Sequence, residues 1–286
     1  MQHFEYSSVK TVEEAAAFLA EWGERCKLIA GGTDLIPALR NEDIHPDAVL
    51  NLLEIESLKG IRETGDGVWI GSTTTFTDLE KSEILHRCFP LLCQAASSVG
   101  GPQIRNRGTI GGNIANASPA ADVLPAVLAL DGKAHVFSKA RGEKIVSLEE
   151  LIEKPYRITL QADELLTGLS LPKLGEGTQT GFEKLGRRNA LARARMNLSL
   201  VLHQSKDGRV SEVRIVPGAV MPVARRMRRA EEALLGERPD AARIESAARR
   251  LIEEMTEVTG RRWSTEYKVP VMGNLFRRLC KSMVQG

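Results

Sequence analysis

Two hydrophobic periods alternate through the first fifty residues. Phe4-Glu5-Tyr6 reads as a short strand. From Val12 to about Glu24, Ala16, Leu19 and Ala20 fall at helical spacing. Thr11 is a good N-cap, and Glu14 three residues later completes a capping box. Lys27-Leu28-Ile29-Ala30 predicts a buried strand that runs straight into Gly31-Gly32. Leu35 to Arg40 predicts a short helix with Pro37 in its first turn. Ala48-Val49-Leu50-Asn51-Leu52 predicts another strand. The opening is therefore β-α-β-α-β, a small three-stranded unit built on crossovers.

The pattern then shortens. Leu58–Glu63 and Val68–Gly71 flank Thr64-Gly65-Asp66-Gly67, a strong hairpin signal. Thr77 reads as the cap of a helix near Asp78–Ser82. Pro90 to Val99 predicts a longer helix ending at Gly100-Gly101, and Val123 to Leu130 another. Lys133–Phe137 and Glu143–Val146 predict strands, Ser147 caps Leu148–Ile152, and Leu165–Leu171 is a strand stopped by Pro172. Leu174 to Thr178 is the best candidate linker. Beyond it, Thr180–Leu185 and Val210–Ile215 predict strands. Arg195–Gln204 is open between strand and helix: Leu198, Leu200 and Leu202 alternate, but the residue types favour helix. Arg229–Leu235, Asp240–Thr256 and Met272–Met283 predict helices.

Composition adds bounds. The 286 residues are 42% apolar and 27% charged, which is ordinary for a globular chain with room for two domains. No apolar run approaches the ~20 residues of a membrane span. Met1-Gln2-His3-Phe4-Glu5 lacks a signal-peptide pattern, so a cytoplasmic location is the default. Cys26, Cys88, Cys93 and Cys280 lack any iron–sulfur spacing and read as reduced thiols. The net charge of +2 is uneven. Residues 177–286 hold 22 Lys+Arg against 12 Asp+Glu, a net +10, and residues 1–176 hold 17 against 25, a net −8. Aromatics are only 5% and no nucleic-acid motif accompanies the basic half, so an acidic protein partner explains the bias better. His3, His45, His86, His135 and His203 are widely spaced. No nucleophile motif, acid–base dyad or metal-ligand cluster is present, so no catalytic side chain and no metal ligand is expected.

The most unusual run is Arg105 to Asp122, which has no obvious helical or strand period. It holds Gly111-Gly112 with Thr109, Asn113, Asn116 and Ser118. Leu28-Ile29-Ala30-Gly31-Gly32-Thr33-Asp34-Leu35 has similar chemistry. Glycine lets backbone N–H groups converge on a diphosphate. Thr33 and Thr109 add hydroxyls, Asn113 and Asn116 add amides, and Asp122 suits a ribose hydroxyl. Neither loop is Gly-x-Gly-x-x-Gly or a P-loop, so those nucleotide sites are not supported. The pair predicts two facing loops that hold the diphosphate and ribose of one dinucleotide.

These residues carry a resemblance. The Ala30-Gly31-Gly32-Thr33-Asp34-Leu35 and Thr109-Ile110-Gly111-Gly112-Asn113 runs, with Gln103-Ile104-Arg105-Asn106 before the second, match two FAD signatures. The chain resembles the FAD-binding (medium) subunit of molybdenum hydroxylases, such as the flavin subunits of xanthine, carbon monoxide and nicotinate dehydrogenases. The likeness continues through Glu164-Leu165-Leu166, Phe182-Glu183-Lys184-Leu185 and Tyr267-Lys268. It implies an α+β (α/β) fold: two α/β subdomains clamping FAD, about 1–57 and 58–174, and a C-terminal α/β domain at 178–286 with an antiparallel sheet.

By matching positions, Leu28, Ile29, Ala30, Gly31, Gly32, Thr33, Asp34 and Leu35 would supply the first diphosphate loop. Thr109, Gly111, Gly112, Asn113 and Asn116 would grip FAD from the second, and Asp122 would hold ribose. Ile110 is either a contact of the flavin ring or a plain core residue. Leu166 would line the cleft, and Lys184 would reach the flavin's polar edge. Arg193 and Arg195, and Val216-Pro217, depart from the family pattern.

The resemblance implies an electron-transfer subunit. Electrons would come from [2Fe-2S] clusters in a small partner subunit, after oxidation of substrate at a molybdenum cofactor in a large one. FAD would pass them to NAD+ or another acceptor. The rival readings are a stand-alone flavin oxidoreductase and a flavin-free assembly subunit.

Overall fold

Thr11 caps the first helix as its sequence predicts. In the computed structural model, which describes residues 3–188 and 191–285, its hydroxyl accepts from the Glu14 amide while the Glu14 carboxylate accepts from the Thr11 amide. The helix α1 (Val12–Trp22) links β1 (Glu5–Ser8) to β2 (Cys26–Ile29), and α2 (Leu35–Arg40) links β2 to β3 (Ala48–Asn51). The sheet order is β1-β3-β2 with both pairings parallel, which requires such crossovers. Leu19, Leu50, Ile55 and Leu58 fill the core of this unit, joined by Leu165 from far along the chain.

Next come β4 (Ile61–Thr64) and β5 (Gly67–Gly71), a tight hairpin with Thr64 opposite Gly67. Leu58, expected in the first strand, sits instead in a short 3-10 turn and faces the first core. Six helices follow: α3 (Phe76–Lys81), α4 (Glu83–Cys88), α5 (Pro90–Ser97), α6 (Pro102–Arg105), α7 (Ile110–Asn116) and α8 (Val123–Ala129). Thr75 caps α3, not Thr77. Thr75 has Asp78 three residues on to close a capping box, whereas the Thr77 hydroxyl donates to Asn106 Oδ1 at 2.6 Å.

The chain returns through β6 (Lys133–Ser138), β7 (Gly142–Ser147), α9 (Leu148–Leu151) and the short pair β8 (Ile152–Lys154) and β9 (Arg157–Ile158). It ends this part with β10 (Glu164–Pro172). The five-stranded antiparallel sheet runs β4-β5-β10-β6-β7, so the last strand made lies in the middle.

The remaining chain forms the antiparallel sheet β11 (Gln179–Gly186), β12 (Ala194–Gln204) and β13 (Val210–Gly218). It is followed by α10 (Arg228–Glu232), α11 (Ala241–Thr259) and α12 (Thr265–Gln285). The Arg195–Gln204 ambiguity resolves as strand because both faces are covered. Leu198, Leu200 and Leu202 point into the core with α11 and α12, while Val201 joins the core of the five-stranded part. Pro217 fits in β13 because that strand is an edge. α12 starts well before Met272 and carries Pro270 within it. Among the described residues, no helix is long and apolar enough to cross a membrane.

Candidate cofactor site

The first Gly-Gly loop joins β2 to α2. Leu28 and Ile29 end the strand half-buried, with Leu28 against the first core. Ala30 to Asp34 then turn into the helix. Gly32 has φ 71°, a left-handed conformation that glycine adopts without strain. Among the described residues, the amides of Gly31, Gly32, Thr33 and Asp34 have no acceptor. Thr33 is half-buried and Asp34 exposed, and the Thr33 hydroxyl donates to Asp34 Oδ2 at 3.4 Å. Leu35 opens α2, half-buried. Four consecutive donors without partners form a ready anion cradle.

This loop lies directly against the second one. A Cβ built on Gly31 would stand 1.8 Å from the Arg107 carbonyl oxygen and 3.0 Å from Gly108 Cα. Backbone therefore meets backbone, and only glycine permits it. The two runs that the sequence sets apart by some seventy positions are brought together here.

The second loop is a helix start rather than an irregular loop, which corrects the sequence expectation for 105–122. Thr109 caps α7 by accepting from the Gly112 amide at 3.1 Å. The Ile110 amide donates to Thr74 O at 2.9 Å and the Gly111 amide to Ser72 O at 2.8 Å. The Asn113 amide donates to Thr109 O at 3.0 Å. A Cβ at Gly111 would lie 2.5 Å from Ser72 O, so this glycine is required for close approach. Gly112 is exposed, and a Cβ there meets only Thr109 Oγ1, at 3.0 Å. Ile110 is fully buried in the core. Asn113 Oδ1 is buried without a partner, and the half-buried Asn116 side chain has none among the described residues.

Ser72 and Thr74 are bracing residues that sequence reasoning did not single out. The signal available was the hydroxyl run Ser72-Thr73-Thr74-Thr75 between a hairpin and a helix. Further bracing comes from Arg105, whose Nε donates to Glu80 Oε2 at 2.8 Å.

Asp122 and Lys184 face each other. Lys184 Nζ donates to Asp122 Oδ2 at 2.5 Å and to Ser98 O at 2.7 Å. Asn197 Nδ2 donates to the other Asp122 oxygen at 3.0 Å. Asp122 is only 6% exposed. Burial pushes its carboxyl above the usual range, against the opposing pull of Lys184 and Asn197. The trio ties the end of the second loop to β11 and β12. Leu166 lies in the main core, 5% exposed, at the β10 bulge.

The residues present suit a diphosphate-bearing dinucleotide: unpartnered amides on one loop, and on the other a buried amide oxygen that lacks a donor. Comparison with known proteins fixes which one. Residues 2–174 match the FAD binding domain in molybdopterin dehydrogenase, and residues 181–283 match the CO dehydrogenase flavoprotein C-terminal domain. The chain belongs to the FAD-binding subunits of molybdenum hydroxylases. It is 33% identical over 276 residues to the carbon monoxide dehydrogenase medium chain of Hydrogenophaga pseudoflava, covering 96% of this chain and 95% of that one. It is 29% identical over 282 residues to the xanthine dehydrogenase FAD-binding subunit of Escherichia coli O157:H7, covering 98% and 95%. A solved structure of carbon monoxide dehydrogenase from Hydrogenophaga pseudoflava, lacking the Mo-pyranopterin moiety, superimposes with a TM-score of 0.92 at 32% identity. That match covers 99% of this chain and 97% of that one. This flavoprotein subunit is thus part of an oxidoreductase family, with an FAD-binding domain over residues 2–174.

Proposed function

We propose that this subunit holds FAD between its two Gly-Gly loops and relays electrons within a three-subunit molybdenum hydroxylase. The observation that carries the reading is the seat of Gly31 on Arg107–Gly108, with unpartnered amides from Gly31 to Asp34. In this reading those amides and the Thr33 hydroxyl hold the diphosphate. Asn113 and Asn116 hold polar atoms of the cofactor from the α7 side. Lys184 and Asp122 fix the relative position of the two parts that border the cleft. Leu166 and Ile110 support that cleft from the core.

When bound, the flavin supplies exchange between one-electron and two-electron carriers. The chain's own residues bind it and orient it. The electrons come from a [2Fe-2S] small subunit that serves a molybdenum-cofactor large subunit, and they leave to NAD+ or another acceptor. The FAD-binding part corresponds to 1–174 and the C-terminal part to 178–286. Four free thiols fit a cytoplasmic, reducing setting.

Native purification of the tagged chain from its own cells tests this. FAD, iron and molybdenum should co-elute with two further subunits. Rapid mixing of the reduced complex with NAD+ should reoxidise the flavin if NAD+ is the acceptor. A chain that elutes alone and takes up no added FAD would overturn the reading.

A further inference from the structure

The basic C-terminal part holds a cavity far from the Gly-Gly loops in sequence. The cavity is small and partly open to solvent, beside the N-terminal end of α12. Thr256 and Thr259 line it from α11, Arg262 and Ser264 from the connecting turn, and Thr265 and Lys268 from α12. Two cations and four hydroxyls therefore share one partly enclosed space.

A third cation, Arg195, lies close by. Its guanidinium stands 5.6 Å from the centre of the Tyr267 ring. Among the described residues, none of Arg195, Arg262 and Lys268 is in an ion pair, whereas Arg226, Arg229, Arg277 and Arg278 of this part are paired with carboxylates. Lys268 Nζ donates only to Ala219 O, at 2.9 Å. Burial and the charges of Arg262 and Arg195 hold its ammonium below the usual lysine range. Like charges gathered without a counter-ion are costly unless an anion joins them.

We propose that this cavity is an oxyanion site, which takes a phosphoryl group between Arg262 and Lys268, with the hydroxyls of Ser264 and Thr265 as further donors; those of Thr256 and Thr259 already donate to Ile252 O and Gly260 O. The α12 dipole adds to the positive potential there. The partly enclosed shape suits a single phosphoryl group, as inorganic phosphate or as the phosphate of a nucleotide. The proposal is argued from Arg262, Lys268 and their neighbours alone and stands whether or not the flavin reading holds.

The test is calorimetric titration of the full-length FAD-loaded protein with inorganic phosphate and with AMP, against sodium chloride at matched ionic strength. Saturable one-site binding is expected, weakened about tenfold or more in Arg262→Gln and in Lys268→Met. Flavin content should be unchanged in both. Tighter binding of AMP than of phosphate assigns a nucleotide, and equal binding assigns free phosphate. No saturable binding, or binding of equal strength in the wild type and Arg262→Gln, overturns the proposal. Arg262 is exposed in a turn, so its variant keeps the test decisive even if Lys268→Met fails to fold.

Discussion

The two Gly-Gly loops carry the same dipeptide within two residues of a threonine, yet they use their backbones in opposite ways. In the first, the amides from Gly31 to Asp34 have no acceptor among the described residues. In the second, the amides of Ile110, Gly111, Gly112 and Asn113 are all bonded, to Thr74, Ser72 and Thr109. The glycines differ as well. Gly31 and Gly111 are needed for backbone contact, whereas a Cβ at Gly112 would press on a single side-chain atom, Thr109 Oγ1. A shared motif therefore conceals a division of labour. The first loop offers main-chain donors, and the second is a rigid wall whose remaining polar groups are side chains.

Four substitutions break or sharpen that contrast. The largest effect is expected from Lys184→Met, which leaves the Asp122 carboxylate buried beside the second loop with its cation gone. Loss of one partner of a buried pair costs about 3–5 kcal/mol, so denaturant midpoints should fall sharply. An unchanged midpoint would mean that the pair does not anchor the wall. Gly31→Ala comes next. Its methyl collides with Arg107 O, so the loops must part, at a cost of about 1–3 kcal/mol. Flavin content per chain should drop to a small fraction, with the far-UV spectrum retained; normal flavin loading would refute the seat.

Asn113→Leu separates binding from folding. The buried Oδ1 has no partner in the protein, so its removal leaves flavin-free stability unchanged or raised. FAD affinity should weaken about tenfold, ~1.4 kcal/mol, in a fluorescence-quenching titration. A drop in flavin-free stability with no loss of affinity would make Asn113 purely structural. Gly112→Ala is the smallest change, within about 0.5 kcal/mol by thermal unfolding. A loss as large as that of Gly31→Ala would erase the distinction between the loops.

Elements whose signals are local were readable from sequence. The Thr11–Glu14 capping box, the β-α-β-α-β opening and the Thr64–Gly67 hairpin depend on residues within a few positions of one another. The helix α7 was not readable, because glycine at two of its seven positions is a strong helix breaker. Its start is held by carbonyls of Ser72 and Thr74, which no periodicity reveals. The same limit applies to Asp122 and Lys184, 62 residues apart. The residue types suggested a ribose acceptor at Asp122 and the resemblance implied a flavin cation at Lys184; that the two bond each other could be read from neither. Thr77 lost the cap of α3 to Thr75 by a shift of two residues, because both have an acid within reach and only packing chooses between them. That the two loops face each other, by contrast, was legible, since glycine with Thr and Asn is rare enough to stand out, and Gly31 does lie against Arg107 and Gly108.

The central placement of β10 has a consequence for how the chain is made. Residues 164–172 complete the middle of the five-stranded sheet, between β5 and β6, and Leu165 also closes the core of the first unit. Neither core is finished until that segment has left the ribosome. The nascent chain therefore exposes apolar surface through the synthesis of about sixty per cent of its length, and such long-range closure is slow. Chaperone dependence during translation, made worse by slower elongation before residue 172, is the expected cost of weaving the last strand through the middle.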